Sequence, residues 1–197
     1  MVRAYHLILT AYGFWLPNDP RGSWSTHVWA ENLRPFGEAT KTSTRRSVAS
    51  REHDHATRRQ AKHHLRYPAV RFDGHQACAI ARGFAQCVAR RDLSVYACAV
   101  MPDHAHLILA RHVLGVERIA ADLKRFATRA LNDEHRHPLA GQRDPRGRTP
   151  TPWAEGGWSV FLNQPADVRS RIEYVNANPI KAGLPPQHWR FVTPFTD

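Results

Sequence analysis

The sequence predicts an α+β domain built on one antiparallel sheet of four strands, and three observations predict it. Runs of β-forming residues alternate with amphipathic helical stretches in the order strand, helix, strand, strand, helix, strand. The 197 residues suit one domain, or one domain carrying a large insertion. A hydrophobic fraction of 42% suffices for a genuine core, so wholesale disorder is not expected.

The first strand is read at residues 4–12, AYHLILTAY, a buried segment rich in β-formers. A long polar stretch follows, residues 17–74, opening on the turn signals Pro17-Asn18-Asp19-Pro20-Arg21-Gly22. Between Arg34 and Arg71 it holds ten Lys/Arg against three Asp/Glu, a local charge of +7. Its apolar periodicity is weak: residues 50–66 could form a basic helix, and little of the stretch is expected in the core. Patterning resumes at 75–91, where Ile80, Phe84, Cys87 and Val88 recur at helical spacing. Residues 94–101 and 104–111 read as two strands joined by a turn at Pro102-Asp103. A second helix is expected over 116–134, with Val116, Ile119, Leu123, Phe126, Ala127 and Ala130 on one side. Residues 138–152 hold four prolines, two glycines and three arginines, and read as a loop. The last strand falls at Gly157 to Leu162, and a final helix opens at Pro165 and closes at Pro179. The tail, residues 185–197, is irregular.

This βαββαβ order is the ferredoxin-like (RRM-like) split βαβ arrangement, extended by a C-terminal helix and by the basic insertion after the first strand. Right-handed crossovers then put the first and third strands at the centre of the sheet.

Composition narrows the partner. The formal charge is +11 with a pI near 10.4, and 24 of the 28 basic residues are arginine. That charge points to a polyanion, and arginine grips phosphate with paired hydrogen bonds. A GC-rich genome would produce the same arginine bias with no ligand at all. No apolar run approaches the ~20 residues of a membrane span, and the N-terminus lacks a signal-peptide cleavage pattern. Three cysteines without a C-x-x-C pair suit a reducing cytoplasm.

His104-Ala105-His106 opens the third strand. Alternation puts both imidazoles and Ile108 on one face, with Ala105, Leu107 and Leu109 on the other. Side chains two apart on a strand can share a metal ion, although two polar residues at a strand end explain the pattern equally well. On the final helix Val168, Ile172 and Val175 make the buried stripe, and Tyr174 and Asn178 stand together on its flank as an i,i+4 pair.

Two longer motifs carry a resemblance. Met101-Pro102-Asp103-His104-Ala105-His106-Leu107-Ile108-Leu109 is followed about 70 residues later by Tyr174-Val175-Asn176-Ala177-Asn178-Pro179-Ile180-Lys181-Ala182-Gly183-Leu184. The pair resembles the single-tyrosine transposases of the HUH endonuclease superfamily, in particular the REP-associated tyrosine transposase branch. Tyr5-His6, Leu123-Lys124-Arg125-Phe126, Leu131-Asn132 and Trp153 are similar to that pattern too. The resemblance covers roughly residues 1–12 and 75–185; the stretch 17–74 departs from the compact members by its length.

The resemblance implies a bacterial, nucleoid-associated enzyme acting on single-stranded or hairpin DNA, as a monomer or a homodimer. It implies that His104, His106 and Asn178 hold Mg²⁺ or Mn²⁺; histidine is a soft ligand for magnesium, so manganese suits the set better. It implies that Tyr174 is the nucleophile, forming a 5′-phosphotyrosine link and releasing a 3′-hydroxyl. An ordinary phenol, with a pKa of about 10, is only about 0.1% ionised at neutral pH, which costs roughly 4 kcal/mol. Nearby cations offset part of that. Glu173 and Asp103 are close in sequence but read as solvated carboxylates.

For DNA contacts the sequence offers Lys124, Arg125 and Arg129 on the second helix, Arg169 and Arg171 beside Tyr174, and Lys181 after it. Trp15, Trp24, Trp29 and Tyr67 could stack on unpaired bases, or pin the insertion to the core. Two other classes remain open: a non-catalytic DNA-binding module or repressor, and a phosphoesterase using water at the histidine pair. His53, His55, His63 and His64 do not have zinc-finger spacing.

Overall fold

The computed structural model describes residues 2–14, 16, 31–38 and 54–196. The strands and helices expected from the sequence form with small changes of boundary: β1 (Ala4–Thr10), α1 (His55–His63), α2 (Gly74–Arg91), β2 (Val95–Val100), β3 (His104–Ala110), α3 (Val116–Asp133), β4 (Trp158–Leu162) and α4 (Pro165–Lys181). A 3-10 turn at Glu31–Phe36 precedes α1. The fold is α+β: a four-stranded antiparallel sheet in the order β2-β3-β1-β4, with β1 and β3 central as the element order predicts.

Strand alternation sorts the core into two layers. Leu7, Leu9, Ala105, Leu107 and Leu109 point to one face, where α2 and α3 cover them. Ala4 and Ile108 point to the other, against Val168 and Val175 of α4. In β2 a bulge between Val95 and Ala97 resets the alternation, so Val95 and Cys98 face the first layer while Ala97 and Ala99 face the second. α2 starts on a capping box, Asp73 accepting from the Gln76 N–H and Gln76 accepting from the Asp73 N–H. It crosses α3 at Gly83, where a Cβ would lie 2.6 Å from the Ala127 Cα.

Three expectations change. The stretch 17–74 supplies more core than its polarity suggests: Val70 and Phe72 are buried in the main cluster. The Val70 N–H donates to the Tyr12 carbonyl (2.9 Å) and the Phe72 N–H to that of Pro102 (2.6 Å). The final helix does not close at Pro179 but runs to Lys181. A proline near the end deletes one helical donor without breaking the last turn, and the chain leaves the helix at Gly183, whose φ is +72°. The irregular tail also has a structural task. The Gln187 amide donates to the Val100 carbonyl and accepts its N–H, both at 2.8 Å, and the Thr193 N–H donates to the Val95 carbonyl. These bonds cover the outer edge of β2, which would otherwise expose unpaired backbone groups.

Candidate active site

β1 and β3 lie side by side with Ile8 opposite His106 and Thr10 opposite His104. His6, His104 and His106 therefore project from the same face, the one covered by α4. His104 Nδ1 lies 2.7 Å from an Asp103 carboxylate oxygen. The carboxylate only accepts, so His104 carries its proton on Nδ1 and turns Nε2 inward. His106 places Nδ1 2.9 Å from His6 Nε2, and its Nε2 lies 2.9 Å from His104 Nε2.

Two proton arrangements satisfy these distances. In one, His6 Nε2–H donates to His106, His106 Nε2–H donates to His104, and His104 donates to Asp103. In the other, His106 Nδ1–H donates to His6, and the two inner Nε2 lone pairs converge. The second is repulsive unless a cation lies between the nitrogens. Burial, then the charges of Arg171 and His104, push His6 down to about 3. Burial also holds His106 well below its ordinary value, followed by the charges of His104, His6 and Arg171. Both rings are neutral at physiological pH.

Tyr174 comes from α4 in the same chain. Its ring centroid stands 5.7 Å from that of His106 and 6.0 Å from that of His6, edge to face in both cases. The residue is 40% exposed, so a large ligand can reach it from solvent. The Arg171 guanidinium carbon lies 5.8 Å from the Tyr174 ring centroid. One turn further along α4, the Asn178 Nδ2 is buried without a hydrogen-bond partner.

The donor set fits a divalent metal. Two nitrogens each about 2.1 Å from one ion, at right angles, stand about 3.0 Å apart, close to the observed 2.9 Å. Both Nδ1 atoms already have outer partners, which is how metal-binding histidines are held. Among the described residues no group of three His, Cys, Asp or Glu converges on one point. Any third protein ligand must then be of another type; the unpartnered atom of Asn178 is the amide nitrogen, a donor, so only its oxygen could serve as a ligand.

The basic residues suggested for DNA do not share one surface. Lys124, Arg125 and Arg129 belong to α3, on the opposite side of the sheet from the histidines. The Lys124 ammonium donates to the carbonyls of Ala154 (2.7 Å) and Gly156, and burial pushes it down to about 8. Arg125 pairs with Asp122 at 2.9 Å and Arg129 with Asp133 at 3.7 Å. Arg169, Arg171 and Lys181 lie on α4, the helix that carries Tyr174. Trp15, Trp24, Trp29 and His53 lie outside the described residues. Tyr67 packs at the edge of the main core, its ring 5.8 Å from Tyr12.

Two residues of the cluster, His6 and Asp103, were not among the sequence candidates. His6 had a signal in strand parity, since it shares a face with Ala4 and Ile8, but joining it to His106 requires the register of β1 on β3. Asp103 reads from the sequence as a solvated carboxylate at the turn; instead the turn directs it at His104 Nδ1, 2.7 Å away.

No protein-family model matches the chain, and no curated protein sequence does. Solved structures to which it is similar include a REP-associated tyrosine transposase bound to a REP hairpin, at 12% identity and a TM-score of 0.47, over 92% of this chain and 68% of that one. Another is a candidate transposase from Deinococcus radiodurans R1, at 16% identity and a TM-score of 0.38, over 89% of this chain and 92% of that one. At these identities and scores, neither likeness assigns a role to any residue of this chain.

Proposed function

We propose that the protein is a metal-dependent single-stranded DNA transesterase, a transposase or a relative put to another use, that cleaves and rejoins DNA near hairpins. The observation that carries this reading is the position of Tyr174. A half-exposed phenol stands beside a histidine pair whose Nε2 atoms lie 2.9 Å apart, all within one chain.

His104, His106 and Asn178 would hold Mn²⁺ or Mg²⁺. When bound, the ion supplies Lewis-acid polarisation of a phosphate oxygen. The remaining work belongs to the chain. His6 accepts from His106 Nδ1–H and Asp103 from His104 Nδ1–H, which fixes both rings with Nε2 toward the reacting centre. Arg171 places a permanent positive charge beside the Tyr174 ring, where it can pair with an incoming phosphate. The Tyr174 oxygen loses its proton and bonds to phosphorus; the bond from phosphorus to the 3′-oxygen breaks, and that oxygen takes up a proton. The product is a 5′-phosphotyrosine link and a free 3′-hydroxyl. Because one phosphoester replaces another, the strand can be rejoined without ATP.

The test is incubation with hairpin-bearing single-stranded oligonucleotides and Mn²⁺, followed by denaturing electrophoresis. A covalent protein–DNA adduct is expected, and it should vanish in Tyr174→Phe and in His104→Ala. DNA binding without an adduct on any substrate, unchanged in those variants, would instead identify a non-catalytic binding module. Hydrolysis of small phosphodiesters that survives Tyr174→Phe would identify water as the nucleophile.

A further inference from the structure

We propose that a basic cleft between α1 and the start of β3 binds the phosphodiester backbone of single-stranded DNA next to the reacting phosphate. The cleft belongs to the insertion, and the proposal rests on the DNA-processing function put forward above.

On α1, His55, Arg58, Arg59 and Lys62 are spaced i, i+3, i+4 and i+7, which places them along one face of the helix. All four line a cavity of about 570 Å³, within the 300–1,000 Å³ range of ligand sites. On another side of the helix, Ala61 is buried with Leu16 and Leu33, and that small apolar cluster holds the basic face in place. Asp54 caps the helix, accepting from the Ala56 and Thr57 N–H groups at 2.9 and 3.0 Å. Arg71 adds a fourth full positive charge to the lining.

The cleft adjoins the candidate active site. Asp103, which holds His104, lines it, and so does Phe14, whose ring centroid is 5.4 Å from that of His104. Asp103 is the single carboxylate among the described lining residues, and it is already hydrogen-bonded to His104. Arg59, Lys62 and Arg71 bring three positive charges to the walls of one cavity, and an anionic partner relieves their mutual repulsion. A bare metal cation is excluded by the same charge. A phosphodiester backbone supplies one negative charge per nucleotide, and a strand crossing the cleft would continue toward the histidine pair.

The test is fluorescence anisotropy with a labelled single-stranded oligonucleotide over a range of salt. Arg58 already has another interaction, so the variant is Arg59→Ala, Lys62→Ala and Arg71→Ala together. Each lost phosphate contact flattens the slope of log K against log salt by about 0.7, so three flatten it by about 2. The same relation gives roughly 100-fold weaker binding at 0.1 M salt. A charge-matched control, Arg3→Ala, Arg90→Ala and Arg111→Ala, removes exposed arginines elsewhere and should leave most of the slope. Circular dichroism and Mn²⁺ affinity report whether the cleft variant keeps its fold. An unchanged slope, or an equal loss in the control, overturns the proposal. If the wild type forms no adduct but the cleft variant still loses DNA, the transesterase reading fails and the cleft stands. If adducts form and the slope does not move, the cleft fails alone.

Discussion

Replacing His6 by leucine tests how the candidate metal site is built. His6 is 2% exposed, and its Nε2 lies 2.9 Å from His106 Nδ1, the one hydrogen-bond partner of that atom among the described residues. Leucine is similar in bulk but offers no acceptor. For His106 to present its Nε2 lone pair, its proton must sit on Nδ1, and in His6→Leu that buried N–H has nothing to accept it. Leaving a buried donor unsatisfied costs about 1–3 kcal/mol, and outer-shell mutations typically weaken metal affinity by about 10–100-fold; the two scales agree. Glutamine keeps an acceptor oxygen at about the reach of Nε2, so His6→Gln should recover most of the loss. The assay is Mn²⁺ titration followed by electron paramagnetic resonance of the free ion, with melting curves of the metal-free variants as a check on folding. Leucine binding Mn²⁺ within twofold of wild type would refute the outer-shell role, whatever happened to activity.

Other consequences follow from particular contacts. In metal-free protein, His6 and His106 stay neutral when folded but take up protons when unfolded below about pH 6.5. The unfolded chain then binds more protons, so stability present above pH 6.5 is lost as pH falls, for His6 toward about 3 at up to about 1.4 kcal/mol per pH unit, with His106 adding in the same direction; melting temperature against pH in EDTA measures it, and a flat profile contradicts it. Gly83→Ala puts a Cβ 2.6 Å from backbone atoms of α3, so the helices must separate; overpacking of about 1–3 kcal/mol should lower Tm by about 3–10 °C. Gln187→Ala removes two hydrogen bonds from Val100, and should cost about 1–2 kcal/mol while speeding amide exchange at Val100; unchanged exchange would show that the tail does not seal that edge.

Much of the sheet was legible because its signals are local. The alternation of His104, His106 and Ile108 against Ala105, Leu107 and Leu109 follows from backbone geometry, and the central position of β1 and β3 follows from element order. The flank position of Tyr174 follows from helical spacing against Val168 and Val175. Pro179 misled because proline's penalty depends on position within a helix, and near the last turn one missing donor is tolerable. Val70 and Phe72 were hidden because they are isolated apolar residues in a basic stretch, and only the neighbouring Tyr12 and Pro102 carbonyls give them a place.

The sequence by itself determined the order of elements, the face on which each strand residue points, and the motif that makes Tyr174, His104, His106 and Asn178 candidates. Local sterics and periodicity suffice for those. Tertiary structure decided which candidates meet. It paired His6 with His106 through strand register, and it brought Tyr174 over the histidines by docking α4 on that face. It also separated the basic residues, putting those of α3 behind the sheet and those of α1 in a cleft beside Asp103. The +11 charge is a sum over residues, fixed by composition. Where that charge acts depends on distances between residues far apart in the chain, and only folding sets those.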